Sequence, residues 1–209
     1  MRHRLLLPLL AASLVTACPS PRPPATPAPA PADPDAPPPP ADPDAPPADP
    51  GGVPRFERTN IGASGLSAYL PRGFPAFAVT PSEDGSDVLT AELDVGGFTF
   101  GVIAVRFKDP IGDDGDANEE LLIAYLDFLK GSVGVTGAVG YGRGHTLADA
   151  PAARGVLDYW QTGDGGELVV KGWVTSTHLA VLYITGHGEY PYFNAQQMFL
   201  DGIRFAPVP

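Results

Sequence analysis

Residues 19–54 decide how much of this chain can fold. They hold 17 of its 26 prolines, and alanine and aspartate fill most other places. The octet Pro-Ala-Asp-Pro-Asp-Ala-Pro-Pro occurs at 31–38 and again at 40–47. No large apolar residue stands between Cys18 and Val53. Such a segment cannot bury enough surface to offset the entropy of an ordered chain. It is expected to be a polyproline-II-like spacer, extended further by its five aspartates. At about 3.1 Å per residue it would reach roughly 110 Å when fully extended. It reads as a tether; the rival reading is a Pro-rich ligand for a recognition domain. Any core must then lie in residues 55–209, a length that fits one domain.

Cys18 is the chain's only cysteine. Arg2 and Arg4 give a positive start, residues 5–14 form an apolar run, and Val15-Thr16-Ala17 lead into Cys18. A run of about ten residues is half of the roughly 20 that a helix needs to cross a bilayer. A disulfide would need a second cysteine, and a free thiol here would have no basic neighbour to activate it. An ordinary secretory peptide cut after Ala17 would look similar, but it does not require a cysteine at the next position. The stretch resembles a bacterial lipoprotein signal. That resemblance implies removal of residues 1–17, a diacylglyceryl thioether on Cys18 and an acyl chain on its new amino group. More than one chain is what stable anchoring takes. The lipid bilayer would be the first partner. Pro19, rather than aspartate, follows Cys18, which is compatible with an outer-membrane address facing the periplasm or the exterior. The expected organisation is a signal peptide at 1–17, a lipidated cysteine with a disordered linker at 18–54, and a folded domain at 55–209.

The domain carries 19 acidic and 10 basic residues. With no basic patch to neutralise phosphates, nucleic acid is excluded as a partner class. No cysteine remains in the domain, so its stability must come from packing rather than disulfides.

Strands are expected at 56–62 and 66–70, the second stopped by Pro71-Arg72-Gly73. Residues 88–95 alternate, with Leu89, Ala91, Leu93 and Val95 on one side and Thr90, Glu92 and Asp94 on the other. Gly96-Gly97 is a hairpin signal, and 98–107 is the returning strand. A helix is expected over 118–130, with Asn118 as N-cap, Glu119 and Glu120 at the positive end of its dipole, and Gly131 closing it. Leu121, Leu122, Tyr125, Phe128 and Leu129 form its apolar face. A glycine-rich connection leads to a strand near 139–146. Three more strands follow at 153–161, 167–174 and 178–185, then a helix over 190–201 and a short extended piece at 202–205. The fold class is therefore α+β, an antiparallel sheet with helices packed on it. Trp160 and Trp173, on neighbouring strands, are expected to share one core cluster.

Two local phrases carry a family resemblance. Tyr69-Leu70-Pro71-Arg72-Gly73-Phe74 near the start and Phe199-Leu200-Asp201-Gly202-Ile203-Arg204-Phe205 near the end resemble the opening and closing phrases of the PsbP-like family. That family includes extrinsic photosystem proteins and bacterial secreted proteins and lipoproteins of the DcrB type. The resemblance covers about residues 60–206 and implies an α/β/α sandwich around an antiparallel sheet. It brings no mechanism, and members of the fold mostly bind other proteins.

Catalytic groupings are sparse. The domain's histidines are His145, His178 and His187, too far apart in sequence for a His-x3-His zinc pair. His178 reads as a turn or edge residue. His145 with Asp149 can make a hydrogen bond, and His187-Gly188-Glu189 offers one pair of potential ligands. No serine stands in a nucleophile elbow. The run from Asp113 to Glu120 alternates like the first ligands of a calcium loop, but Glu119 stands where glycine is required and Tyr125 where glutamate is. It reads as a solvated loop with a helix cap. The glycines at 131–144 lack the lysine and hydroxyl of a phosphate loop. Tyr159, Trp160, Trp173, Tyr183, Tyr190, Tyr192 and Phe193 can supply either a binding platform for glycan or peptide or ordinary core. The leading expectation is a non-catalytic envelope lipoprotein that needs no cofactor and binds a protein partner or serves as an assembly factor. The second is an envelope enzyme or metal-binding protein using His145 or His187 with nearby carboxylates. Cys18→Ala is expected to leave the precursor uncut or to release the chain from membranes. Fractionation checks this, and membrane retention of the alanine variant would rule the anchor out.

Overall fold

Two segments, 167–174 and 178–186, are apolar almost without interruption, and such strands need cover on both faces. The computed structural model, which describes residues 53–205, places them at the centre of its larger sheet. The expected signal peptide, Cys18 and the linker up to residue 52 lie outside the described residues. The chain begins with β1 (Phe56–Asn60), β2 (Leu66–Pro71), β3 (Ala78–Pro81), β4 (Asp87–Val95) and β5 (Phe98–Arg106). Helix α1 (Gly115–Val133) follows, then β6 (Val135–Ala138), β7 (Gly142–Leu147), β8 (Ala150–Thr162), β9 (Glu167–Val174) and β10 (His178–Gly186). Helix α2 (Phe193–Leu200) and β11 (Arg204–Phe205) end the described chain.

The larger sheet has the order β3-β4-β5-β10-β9-β8-β6, and β7 also pairs with β8. A second sheet has the order β1-β2-β11. Every pairing is antiparallel. The larger sheet is two meanders, β3-β4-β5 and β8-β9-β10, joined where β5 pairs with β10. This is the α+β class expected from the sequence. Both phrases reach the small sheet: residues 69–71 lie on β2, and β11 pairs with β2 just ahead of them, Arg204 with Ser67 and Phe205 with Leu66. Gly202 leaves room for that junction: a Cβ there would lie 3.1 Å from the Tyr69 Cβ and 2.2 Å from the Met198 carbonyl oxygen.

Strand alternation divides the core in two. On one face Val156, Trp160, Leu168, Val170, Val174, Leu179 and Val181 pack with Leu122 and Leu126 of α1. On the other, Phe100, Val102, Val169, Trp173, Leu182 and Ile184 pack with Leu66 and Leu70 of β2 and with Ala195, Phe199 and Leu200 of α2. Trp160 and Trp173 therefore belong to opposite faces and do not share a cluster. Their positions differ by 13, an odd number, but they sit on different strands; the register Trp160↔Leu168 and Gly155↔Trp173 sets the faces. Phe100 is ringed edge-on by Phe199, Tyr190 and Phe56 at centroid distances of 5.2, 5.4 and 6.0 Å. A fully buried side chain of this size contributes roughly 1.5–3 kcal/mol.

Glycines admit the largest side chains. Gly155 faces Trp173 across the β8–β9 ladder and Gly101 faces Tyr183 across β5–β10. A Cβ would lie 2.5 Å from the Trp173 ring at the first and 2.0 Å from the Tyr183 ring at the second. Leu122 of α1 is seated the same way over Gly172, 2.5 Å from where its Cβ would be.

The helix ends differ from the sequence expectation. Asp114, not Asn118, caps α1: its Oδ1 accepts from the backbone N–H of Asp116 at 3.1 Å and of Ala117 at 3.2 Å. Asn118 is buried inside the first turns, where its Nδ2 donates to the Gly112 carbonyl at 3.0 Å. The helix runs through Gly131 and stops at Gly134, which takes φ +68°, a conformation that suits glycine. Phe128 is 51% exposed, so the buried stripe is Leu122 and Leu126, with Tyr125 and Leu129 beside it. The second helix is shorter than expected, starting at Phe193.

These positions respond oppositely to one added methyl. Gly131→Ala, helical with nothing within 4 Å, is expected to stabilise the domain by about 0.5–1 kcal/mol. Gly172→Ala is expected to cost roughly 1–3 kcal/mol through overpacking against Leu122. Urea unfolding midpoints of the two variants check both signs.

Candidate functional site

The histidines go to three separate places. His178 opens β10, a central strand rather than an edge. Its ring is held between Ser64 and Thr177, with Nε2 2.8 Å from the Ser64 carbonyl and Nδ1 2.8 Å from Thr177 Oγ1. A carbonyl only accepts, so Nε2 carries the proton and Nδ1 accepts from the hydroxyl. Burial lowers this imidazole's pKa, against the opposing pull of the Ser64 bond. His178 is thus a clasp between β10 and the loop after β1.

His145 lies on β7 and lines a cleft of about 360 Å³ with Asp149, Lys171, Trp173, Asp201 and Arg204. The expected His145–Asp149 hydrogen bond is not formed among the described residues, because Asp149 is ion-paired with Arg204. Lys171, on β9, is ion-paired with Asp201 and sits 4.9 Å above the Trp173 ring. Burial, and after it the Lys171 charge, hold the His145 pKa below its ordinary value. The cleft is a set of matched charges beside an imidazole.

His187 is exposed and lines a different depression, near Asp164, Tyr183 and Glu92. Its sequence neighbour Glu189 lines yet another cleft, so the His187–Glu189 pair is divided. Among the described residues no group of three or more His, Cys, Asp or Glu side chains is placed to hold a metal ion. The acidic run at 113–120 is engaged internally. Asp114 caps α1, and Glu119 accepts from Arg143 Nε at 2.9 Å and from the Gly144 N–H at 2.8 Å. Glu120 takes the other arm of Arg143.

One buried ion pair was not singled out in the sequence. Asp158 is fully buried on the α1 face of β8. It accepts from Trp160 Nε1 at 2.7 Å and from the Gly140 N–H at 3.0 Å, and it pairs with Lys130 Nζ at 2.8 Å. Lys130 also donates to Tyr141 Oη at 2.8 Å and lies 4.0 Å above that ring. Burial works against the lysine charge, but the bonds to Asp158 and Tyr141 outweigh it and raise the Lys130 pKa. The signal was present in the alternation of β8, where Val156, Asp158 and Trp160 share a face. This pair ties the end of α1 to the sheet.

The site with unspent recognition capacity is a cleft of about 410 Å³ between α2 and the strands β6, β8, β9 and β10. Phe98, Tyr159, Val169, Ile184 and Tyr190 are among its walls, with glycines 137, 186 and 188 beside them. Two of the aromatics considered as a platform, Tyr159 and Tyr190, thus meet here, while the Trp160 side chain packs on the opposite face with α1. Trp173 and Tyr183 go elsewhere. Tyr190 is 7% exposed, and its hydroxyl has no hydrogen-bond partner among the described residues. An unpaired buried hydroxyl costs about 1–3 kcal/mol. Gln196, on α2, is also buried and lines the cleft. Glu167 and Glu189 are exposed at its edge, and no lysine, arginine or histidine lines it. Such a surface can bind an apolar group and hydrogen-bond to a polar group beside it. Gln196 could not be found from the sequence, because only the docking of α2 turns it toward the cleft.

No protein-family model matches the chain, and no curated protein does. A solved structure that it resembles is an uncharacterized protein of Mycobacterium smegmatis, the Rv0999 ortholog, at 17% identity and a TM-score of 0.29. That match covers 60% of this chain, which spans 57% of the length of the other. So low a score carries no argument about function.

Two measurements test this account. Burial first, and Tyr192 second, push the Tyr190 phenol from 10.0 up to about 12. The folded chain then holds this proton more tightly than the unfolded one, so the stabilisation is complete below pH 10 and is lost as pH climbs through 12. Tyr190→Phe is expected to move alkaline unfolding, followed by tyrosinate absorbance and circular dichroism, to higher pH. Asp158→Ala strands a lysine whose side chain is 17% exposed. It is expected to cost about 3 kcal/mol, the low end for a broken buried pair, and Lys130→Met in the same chain is expected to recover part of that loss in urea unfolding.

Proposed function

We propose that this chain is a lipid-anchored bacterial envelope protein of PsbP-like type. Its tethered, non-catalytic domain binds a protein partner or serves as an assembly factor. The single observation that carries the reading is the lone cysteine, Cys18, directly after a charged start, a short apolar run and Val15-Thr16-Ala17. Acyl chains there would hold the protein at a membrane, facing the periplasm or the exterior, and the Pro-rich segment would let the domain search away from it. Support also comes from the distribution of polar groups. Asp149 with Arg204, Lys171 with Asp201, and Glu119 with Arg143 are matched charges, while the cleft beside α2 keeps apolar walls and a hydroxyl unpaired among the described residues. The two phrases that resemble the PsbP-like family converge on one small sheet, in keeping with a structural rather than chemical role for them.

The test is photo-cross-linking in intact cells from a reactive residue at Tyr159, on the cleft, and at Arg72, an exposed residue on no cleft described above. A specific protein neighbour captured only from Tyr159, and lost with Cys18→Ala, is the expected result. Mass spectrometry of the same material reads the amino terminus. An unacylated terminus overturns the anchor, and the absence of any specific neighbour overturns the adaptor role.

A further inference from the structure

Resting on that reading, we propose that the cleft beside α2 receives one apolar anchor residue of a partner polypeptide. The anchor's backbone amide would bond to Tyr190 and Gln196, and the flanking residues would be basic.

Size sets the first limit. About 410 Å³ is at the small end of ligand sites; it holds a single large side chain with its adjoining peptide group, not a folded element. The walls set the second. Tyr159, Val169, Ile184 and Phe98 offer apolar surface, and Tyr159 remains 45% exposed, an uncovered aromatic of the kind that marks anchor pockets. The polar groups set the third. Tyr190 Oη is buried and unpaired among the described residues, and the carboxamide of Gln196 lines the same cleft. A hydroxyl and a carboxamide both donate and accept. A neutral group that also does both answers them, and a backbone peptide unit is one such group. Charge sets the last limit. Glu167 and Glu189 line the cleft with no cation beside them. They disfavour an acidic flank and favour a basic one, chiefly through specificity.

Within this cleft the three requirements are separable. Three capped tripeptides probe the anchor and the charge, and two variants probe the hydrogen bonds; the peptides are acetyl-Lys-Leu-Lys-amide, acetyl-Glu-Leu-Glu-amide and acetyl-Lys-Ser-Lys-amide. Each is titrated into the isotope-labelled full-length Cys18→Ser chain and followed by amide NMR. The leucine peptide with lysines is expected to shift Ile184, Gly188, Tyr190 and Gln196 saturably. The acidic peptide is expected to bind at least tenfold more weakly, and the serine peptide not to saturate. Tyr190→Phe removes one oxygen that has no partner among the described residues. It is therefore expected to keep or raise the melting temperature while weakening the first peptide several-fold. Gln196→Leu, which keeps the side chain's size, gives an independent arm with the same expected loss. Equal binding of the acidic and basic peptides, unchanged binding by both variants, or shifts confined to residues off the cleft overturn the proposal. If none of the three peptides binds, this site assignment fails. Cross-linking from Tyr159 would still stand as evidence for or against a partner.

Discussion

Burial of β9 and β10 on both faces is the constraint from which the rest follows. Their side chains alternate between two clusters, so neither strand can turn a side to water. An antiparallel sheet tolerates one wet face, but a sheet with such strands at its centre needs two covers. The helix after β5 supplies one. The small sheet and the second helix supply the other, and the two segments that build that small sheet come from opposite ends of the domain. The chain ends of the domain are thereby drawn into its core, and β11, only two residues long, is enough to close it.

Tight packing around those strands is obtained by removing atoms. Gly101, Gly155 and Gly172 sit where Tyr183, Trp173 and Leu122 come down on the sheet. A glycine inside a strand has an entropic cost, which the dispersion contacts of a large ring laid flat on the backbone offset. The same device positions function. Trp173 rests over Gly155 and donates to the Leu200 carbonyl at 2.9 Å, which ties α2 to β9. The placement of α2 in turn makes the cleft that Tyr190 and Gln196 line.

Two kinds of polar group inside the domain contrast. Asp158 with Lys130, Lys171 with Asp201, and Glu119 with Arg143 are matched pairs that join elements distant in sequence. Removing one member leaves a charge without a partner, so such pairs specify arrangement more than they add stability. Tyr190 is of another kind: it is buried, set edge-on against Phe98, Phe100 and Tyr192, and unpaired at its oxygen among the described residues. Natural interiors rarely leave such an atom alone, and that is why recognition is assigned to its cleft rather than to the histidines.

Much of the architecture was legible in the residues themselves. Alternation in 88–95, the Gly96-Gly97 turn and the apolar runs of β9 and β10 announced antiparallel strands, because side-chain period and turn chemistry are local. The composition of 19–54 and the setting of Cys18 depend on no fold at all. Helix ends were misread locally: Asp114 and Gly134 compete with Asn118 and Gly131, and only the backbone geometry chooses between adjacent candidates. The facing of Trp160 and Trp173, the division of strands into two sheets, the Asp158–Lys130 pair and the meeting of Tyr190 with Gln196 required the tertiary structure. Each is a contact between residues far apart in the chain. Strand register and helix docking determine such contacts, and both are set by the packing of the whole core rather than by any window of sequence.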